Sequence, residues 1–209
     1  MPTDRAPPTA PSAPPPPGRT SDRGAATRTA LLVAARETFL AVGYAQAGVT
    51  EIVARAGASI GSLYHHFAGK ADLYLALFEE LHSDQARRTR RAVRSARNDG
   101  VSDPRQLFLI GARAYLDRCV EQRELASLFV RGDGPPGFDL VMRDRLTEWV
   151  SKNAEFFARS GEPHDQAAAV VTTGALMLTV AEVALSADPA RARKIADGVI
   201  EVLSRLDCP

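Results

Sequence analysis

The side chains with the most chemical potential in this 209-residue chain are concentrated between Gly57 and Lys70. Residues 57–61 read Gly-Ala-Ser-Ile-Gly, which matches the G-x-S-x-G pattern around a nucleophilic serine, and His65 and His66 follow shortly after. In a hydrolase that serine lies on a strained turn between a strand and a helix. The segment before Gly57 has the periodicity of a helix, so a serine hydrolase is only a remote alternative.

Other catalytic and metal-binding patterns are not indicated. Cys119 and Cys208 are far apart and form no C-x-x-C pair, and His65 and His66 have no cysteine or acidic companion at a useful spacing. A phosphate-binding G-x-x-x-x-G-K loop would need glycine where Tyr64 stands. We therefore expect no enzyme activity, no metal and no cofactor.

The same residues suit a protein that binds DNA. An apolar-periodic segment stops at Gly57, a residue that takes positive φ without a Cβ penalty. The hydroxyl of Ser59 is placed to cap a second short helix, from Ile60 to about Phe67. Two helices joined by a tight turn that contains glycine present the second helix to the major groove, so the sequence predicts a helix-turn-helix.

The second helix divides into an anchoring side and an outward side. Leu63 and Phe67 lie one turn apart and can hold the helix against a core. Tyr64, His65 and Lys70 can each donate a hydrogen bond to phosphate. The predicted DNA-binding residues are Thr50, Ser59, Ile60, Gly61, Ser62, Tyr64, His65 and Lys70.

The residues of this region resemble those of the TetR family of bacterial transcriptional regulators. The resemblance covers about residues 27 to 75, and the chain departs from it at Ala47 and Gly48, where family members usually carry serine or threonine. The motif residues are Leu63, Tyr64, His65, His66, Phe67, Lys70 and Leu73, preceded by Ile52, Ala56 and Gly57 and by Ala34, Ala35, Phe39, Gly43 and Tyr44.

The resemblance implies an all-α homodimer of about nine helices per chain. Residues 27–70 are expected to form the helix-turn-helix domain, and residues 71–209 a ligand-binding and dimerisation domain. Such a protein would be a transcriptional regulator, a repressor that a small-molecule ligand releases from a palindromic operator. A DNA-binding regulator or chromosome-organising protein without an effector is the alternative, and a body without a cavity would favour it.

Composition and charge agree with a soluble, cytoplasmic DNA-binding protein associated with the nucleoid. The chain is 45% hydrophobic and 24% charged, with a net charge of only +1. The positive charge is uneven, because residues 19–70 carry +3 and residues 71–209 carry −2. This bias places positive charge on the part expected to meet phosphates.

The first 26 residues are predicted to be a disordered, proline-rich arm. Residues 2–18 hold eight of the fourteen prolines and almost no apolar residue larger than alanine, so ordering them would not be repaid by burial. Arg19, Arg23 and Arg28 follow and could reach phosphates or the minor groove, or simply belong to a solvated linker.

The remaining helices follow from periodicity and capping signals. The fourth, from Lys70 to Asn98, would join the two domains, and its second half carries an arginine cluster read as a solvated face or a partner surface. The predicted ranges are 27–43, 70–98, 104–120, 124–130, 138–160, 165–187 and 189–206.

The body is expected to hold both a ligand site and a dimer interface. The helix over residues 165–187 is apolar nearly all round, and the last helix has an apolar seam, so two copies could pair into a four-helix interface. Some polar side chains occur at positions where the helical periodicity predicts a buried, apolar residue. Such side chains would orient a ligand that lies among aromatic residues. The predicted ligand-binding residues are Phe78, His82, Arg113, Trp149, Asn153 and Met177.

Overall fold

The computed structural model describes residues 18–157 and 163–205. Over these ranges the chain forms nine α-helices and no strand, which confirms the predicted all-α class. The helices are α1 (Gly18–Gln46), α2 (Val49–Arg55), α3 (Ile60–His66), α4 (Lys70–Asn98), α5 (Pro104–Glu121), α6 (Arg123–Val130), α7 (Phe138–Phe157), α8 (Pro163–Leu185) and α9 (Pro189–Arg205).

Most helix ends coincide with the capping signals that predicted them. Asp103 accepts a hydrogen bond from the amide of Gln106 at 3.1 Å, with Pro104 in the first helical position of α5. Asp188 accepts from the amide of Ala190 at 2.8 Å at the start of α9. The predicted ends at Ser160 and Leu206, and the tail cysteine Cys208, lie outside the described residues.

The first helix differs from its prediction at the N-terminus. It begins at Gly18, so residues 18–26, predicted to belong to a disordered arm, are helical, while residues 1–17 lie outside the described part of the chain. Residues 18–46 contain no proline that would interrupt a helix, and Thr27 and Thr29 bond to the carbonyls of Arg23 and Ala25, both at 3.0 Å. The predicted break at Gly43 is present as a kink, with φ 78° and ψ 166°.

The described residues bury two apolar cores. One core holds α1 to α3 together with the first half of α4, and it continues into α6 and the start of α7. The other holds α5, α8 and α9 around Leu116, Val183 and Ala196. The three N-terminal helices α1 to α3, which we call the head, therefore share a core with part of the remaining helices, which we call the body.

Helix α4 connects the head to the far end of the body. Its inner side packs closely against α5, since a Cβ on Gly111 would lie 3.2 Å from Val93 and 3.3 Å from Thr89. Of the arginine cluster on its outer side, Arg87 pairs with Asp84 at 2.9 Å and Arg88 with Glu121 at 3.1 Å. The other cluster members are exposed: Arg90, Arg91, Arg94 and Arg97.

Among the described helices, α8 alone contains a window long and apolar enough to cross a membrane. The window runs over Gln166–Leu185 with a mean hydropathy of 1.8, and 39% of it is buried in the chain. Its buried residues include Ala169, Leu176 and Val183, which pack against the rest of the body. The core helices of soluble proteins have the same length and composition, so the window does not by itself indicate a membrane span.

Candidate nucleic-acid interface

The turn between α2 and α3 has the backbone geometry expected from its sequence. Gly57 adopts φ 61°, and the amides of Ala58 and Gly57 bond to the carbonyls of Val53 and Ala54 at 2.9 and 3.2 Å. This pair of bonds is the Schellman arrangement, in which the left-handed residue is usually glycine. The chain can therefore reverse sharply between the two helices.

Ser59 starts α3 as predicted. Its Oγ accepts a hydrogen bond from the amide of Ser62 at 3.0 Å, and the two serine hydroxyls lie 3.0 Å apart. The cap satisfies one of the amides that a helix leaves unpaired at its N-terminus. A helix of seven residues depends on such local support, because short helices are marginal on their own.

Two residues of this segment hold α3 against the core that it shares with α1 and α2. Leu63 is fully buried and Phe67 is 4% exposed, and both belong to the core that includes Ile52. The guanidinium of Arg28 lies 5.1 Å from the centre of the Phe67 ring. Arg28, one of the proposed arm residues, also pairs with Glu80 at 3.5 Å, so it is engaged within the chain.

The opposite side of α3 is open to solvent. Tyr64 is 58% exposed and Ile60 49%, and Gly61 and His65 are exposed beside them. Of the remaining predicted DNA-binding residues, Ser59 and Thr50, near the start of α2, are exposed and Ser62 is half-buried. Such a surface of small, polar and aromatic groups is suited to approach base edges and phosphates.

Lys70 is placed differently from the other predicted residues. Its ammonium donates to the carbonyls of Tyr44 and Ala45 at 2.8 and 3.2 Å and lies 4.4 Å from the centre of the Tyr44 ring. Two of its three N–H donors are thus used within the protein. Lys70 therefore holds the last residues of α1, after the Gly43 kink, and the predicted phosphate contact of Lys70 stays a prediction.

The last residues of α1 are also held by a contact from the body. Asp133, in the loop between α6 and α7, accepts a hydrogen bond from the amide of Tyr44 at 3.3 Å. A Cβ on Gly43 would lie 2.8 Å from the same carboxylate oxygen, so only glycine fits this approach. We call this contact the head–body latch, defined by Gly43, Tyr44 and Asp133.

Aromatic rings surround the latch. Tyr74 of α4 makes edge-to-face contacts with Tyr44, Phe129 and Phe138 at centroid distances of 5.1 to 5.2 Å, and its hydroxyl donates to the carbonyl of Leu128 at 2.7 Å. Burial raises the pKa of the Tyr74 hydroxyl above its ordinary range. Because Tyr74 contacts both domains, a shift of α4 in the body would be transmitted to the head.

The predicted ligand-binding residues occupy four different surroundings. The rings of Phe78, His82 and Trp149 form a chain of contacts at 4.1 and 5.3 Å, and Asn153 donates to the hydroxyl of Thr173 at 2.8 Å. Arg113 pairs with Asp197 at the α5–α9 contact, and Met177 is half-buried on α8. The structure thus brings three of the six into one group.

Several neighbours of that group were not predicted from the sequence. Gln85 is 1% exposed, and its amide nitrogen donates to the sulfur of Cys119 at 3.3 Å. Tyr115 lies with its ring 5.5 Å from that of Trp149, and Thr89 follows Gln85 by one turn. The sequence signal that could have predicted them is a set of polar residues at helical spacing on the inner sides of α4 and α5.

The three ionisable groups of this cluster, His82, Tyr115 and Cys119, are uncharged at neutral pH. Burial and the positive charge of Arg145 lower the pKa of His82 to about 4, and burial raises the pKa of Cys119 to about 12. Burial also raises the pKa of Tyr115 well above its ordinary value. The charge of Arg145 is itself balanced by Glu79 and Glu148, at 2.5 and 3.2 Å.

With this geometry in place, the comparisons with known proteins are informative. Residues 31–77 match the family model for bacterial regulatory proteins of the tetR family. This segment of the chain is therefore similar to the TetR family of regulators. The matched range runs from the buried part of α1 through α2 and α3 to the first turns of α4, so it contains the whole helix-turn-helix.

Curated transcription regulators match part of the chain. A transcriptional activator from Mycolicibacterium smegmatis, FasR, is 38% identical over 90 residues, which are 43% of this chain and 39% of that protein. A repressor from Brucella suis, BepR, is 41% identical over 59 residues, 28% of each chain. The matched region thus spans less than half the length of these relatives.

Solved TetR-family structures extend the likeness to the body. NalD from Pseudomonas aeruginosa aligns with a TM-score of 0.66 at 19% identity, covering 90% of this chain and 96% of that one. A family member from Syntrophomonas wolfei gives 0.68 at 17% identity, with 85% and 93% covered. These similarities confirm the predicted TetR-like fold over both domains.

The chain departs from the family pattern at the start of α2, as the sequence indicated. Gly48 is the residue before α2, with φ −100° and ψ 139°, and no side chain caps the helix there. Ala47 beside it is buried. Neither residue has a side-chain hydroxyl that could contact phosphate.

The hydrolase pattern of residues 57–61 is accounted for by the same geometry. Ser59 follows helix α2 and the Gly57 turn, whereas a nucleophile elbow requires a strand at that place. The Ser59 hydroxyl is used as the helix cap. The relatives reported above carry the names of transcription regulators.

Proposed function

We propose that this chain is a transcriptional regulator that binds a duplex operator through α3. The observation that carries the proposal is the division of α3 into two sides. Leu63 is buried in the head, while Tyr64 and Ile60 are more than 45% exposed on a face that nothing in the described chain covers. A recognition helix needs this combination of fixed orientation and free surface.

The proposed regulator acts as a homodimer joined through α8 and α9. These helices expose large apolar side chains, with Leu178 at 72% and Val171 at 61% exposure. Val170, Leu185 and Val202 are also more than 50% exposed, although each is apolar. A continuous apolar surface of this kind marks an interface, and two copies would place their α3 helices in successive major grooves about 34–36 Å apart.

A small-molecule effector is proposed to release the operator, as a repressor would require. Helix α4 starts beside α3 at Lys70 and runs through the body, where it carries Phe78 and His82. Coupling of this kind typically amounts to about 1–3 kcal/mol and is reciprocal, so DNA would weaken effector binding by the same factor. One structural relative, SmeT, was solved as a complex with triclosan.

One observation favours the second candidate, a regulator without an effector. The described residues form a groove of about 490 Å³, but it is an open surface groove between α1 and α4 and lies outside the predicted ligand residues. An effector-independent regulator would bind its operator with an affinity that no small molecule changes. Measuring operator affinity against a library of small molecules separates the two candidates.

Selection of bound fragments from a genomic DNA pool tests the proposed function. The intact protein should enrich a small set of palindromic duplexes, because two recognition helices bind one site. A Tyr64→Ala/His65→Ala variant should enrich none of them, while Leu140→Ala, exposed on α7, should enrich the same set. Failure of the unaltered protein to enrich any duplex over random competitor would contradict the proposal.

A further inference from the structure

The seam between α4 and α5 contains an unusual set of buried polar groups. We call it the polar seam and define it as His82, Gln85 and Thr89 of α4 with Tyr115 and Cys119 of α5. Within the described residues, four of its buried atoms make no hydrogen bond of ordinary geometry, although His82 interacts with Gln85 and Tyr115 with the Cys119 thiol: His82 Nδ1, Gln85 Oε1, Thr89 Oγ1 and the Tyr115 hydroxyl. Each such atom costs about 1–3 kcal/mol, so the seam is poorly suited to be only a packed core.

Aromatic rings border the seam on the side of α7. The ring of Trp149 contacts that of His82 at 5.3 Å with an interplanar angle of 69°, and that of Tyr115 at 5.5 Å with an angle of 81°. Phe78 contacts the other side of His82 at 4.1 Å. A flat ring that entered between Trp149 and the seam would exchange these edge contacts for equivalent ones.

The hydrogen-bonding character of the seam defines the polar group of a ligand. Gln85 Oε1 can only accept, whereas the hydroxyls of Thr89 and Tyr115 can donate or accept. A hydroxyl group on a ligand does both and would satisfy two or more of these atoms at once. Water can satisfy such atoms singly, but it would not account for the two rings, Trp149 and Phe78, that border them.

The charge of the seam excludes ionised ligands. Its own groups are uncharged at neutral pH, and the cation that acts on His82, Arg145, is already paired with Glu79 and Glu148. A carboxylate or ammonium placed there would lose its hydration without gaining a free counter-charge. The seam therefore selects for a neutral molecule.

We propose that the polar seam binds an uncharged aromatic molecule that carries a hydroxyl group, and that this molecule is the effector. Entry of the ligand parts Trp149 from Tyr115 and His82, and the ligand hydroxyl bonds to Tyr115 and Gln85. The identification of this ligand as the effector rests on the proposed regulatory function. The binding site and its chemical class rest on the seam alone.

Trp149 makes the binding directly measurable, because it is the single tryptophan of the sequence. The probes are four molecules with one tolyl ring: p-cresol, toluene, p-toluate and p-methylbenzylamine. Titration of the full-length chain with p-cresol should change the Trp149 fluorescence saturably. We expect toluene, which lacks the hydroxyl, to bind about tenfold more weakly, and the two ions more weakly still.

Two conservative variants assign the binding to the seam. Tyr115→Phe and Thr89→Val remove a hydroxyl with little change of shape, and each should weaken p-cresol binding about five- to tenfold while leaving toluene binding unchanged. Tyr64→Phe, which removes an exposed hydroxyl in the head, is the matched control and should bind p-cresol normally. The melting temperature of each variant shows whether it is folded.

Three results would overturn the proposal: no saturable response to p-cresol, tighter binding of p-toluate than of p-cresol, or equal p-cresol affinity in Tyr115→Phe and the parent. Operator binding is measured on the same samples without any probe. Loss of probe binding with intact operator binding refutes the seam site alone. Probe binding by a protein that binds no duplex refutes the regulatory function alone and leaves the site standing.

Discussion

Tyr64 and Lys70 belong to the same short motif, yet the fold uses them in different ways. Tyr64 is more than half exposed on the outer side of α3, so its hydroxyl is free to reach a phosphate. The ammonium of Lys70 is bound to two carbonyls and lies over the Tyr44 ring. At the scale of single residues, the proposed phosphate contact therefore depends on Tyr64.

Replacing Tyr64 by phenylalanine should weaken DNA binding without changing sequence preference. The variant loses one hydrogen-bond donor, so affinity for the operator and for random duplex should fall by the same factor, about three- to tenfold. Fluorescence anisotropy titrations with both duplexes measure this, with Tyr115→Phe in the body as the control. A loss confined to the operator would show that Tyr64 reads bases instead.

His82 should make the stability of the protein sensitive to pH between about 4 and 6.5. Its pKa is lowered from 6.5 to about 4 by burial and by Arg145, so the unfolded chain binds the proton more readily than the folded one. The stabilisation, about 2–3 kcal/mol, is complete above pH 6.5 and is lost as pH falls towards 4. Arg145 adds to this effect because its charge opposes protonation.

The His82→Gln variant tests this assignment, since glutamine does not titrate. Urea unfolding of both proteins should give a free-energy difference that is constant above pH 7 and shifts by about 2–3 kcal/mol in favour of the variant as pH falls from 6.5 to 4. Other titrating groups cancel in that difference. A difference independent of pH over this range would mean that His82 is not held neutral by the fold.

The residues of α3 were predictable because the signals that place them are local. Gly57 ends α2, and Ser59, four residues before Leu63, caps α3. The spacing of these residues in the sequence is therefore enough to predict which side of α3 faces the core. The partners of Lys70 and Asp133 were not predictable. Lys70 meets a turn 25 and 26 residues earlier in the chain, and Asp133 meets Tyr44 across 89 residues.

At the scale of elements, the head meets the body at the end of α1, after the kink at Gly43. Lys70 holds it from the start of α4, and Asp133 holds it from the α6–α7 loop. The positive φ of Gly43 lets the backbone turn towards both. Movement of α4 or of the α6–α7 loop would therefore change the orientation of α2 and α3.

Asp133→Ala should loosen the head from the body without unfolding either. The amide of Tyr44 loses its acceptor, so its hydrogen exchange should become faster by about tenfold, while exchange of the α5 amides stays unchanged. Mass-resolved hydrogen exchange on the peptide covering residues 43–48 measures this. Asp139→Ala, an exposed change in the first turn of α7, is the control, and equal exchange in both variants would contradict the latch.

The helices were largely predictable as elements because caps and apolar periodicity agree in this chain. The start of α1 was missed because proline content in residues 2–18 was extended to residues 19–26, which hold no proline. The sharing of one core between head and body was also missed. Periodicity shows which side of a helix is buried, but it does not show which helix covers that side.

At the scale of the whole molecule, the apolar surface of α8 and α9 has to be covered. Leu178 and Val171 are among the most exposed large apolar side chains of the described chain, and they lie on the helix with the highest hydropathy. In the proposed dimer, pairing with a second copy would bury this surface and set the distance between two α3 helices. Operator binding should therefore depend on residues far from the DNA.

Leu178→Glu should convert the dimer to a monomer and weaken operator binding at least tenfold. A carboxylate at the centre of an apolar interface faces its own copy across the symmetry axis and loses its hydration there. Sedimentation velocity measures the oligomeric state, and anisotropy measures the affinity. Leu140→Glu, at 48% exposure on α7, should remain dimeric; a dimeric Leu178→Glu protein would place the interface elsewhere.

The most direct test of the central claim is a hydroxyl-radical footprint of the unaltered protein on a selected duplex, combined with the mass of the complex. The account predicts two protected patches on one side of the DNA, about one helical turn or a multiple of it apart, and an even number of chains on each duplex. Both patches should disappear together in a Tyr64→Ala/His65→Ala variant. A single patch bound by one chain, or protection that survives this variant, would contradict the claim that paired α3 helices hold the operator.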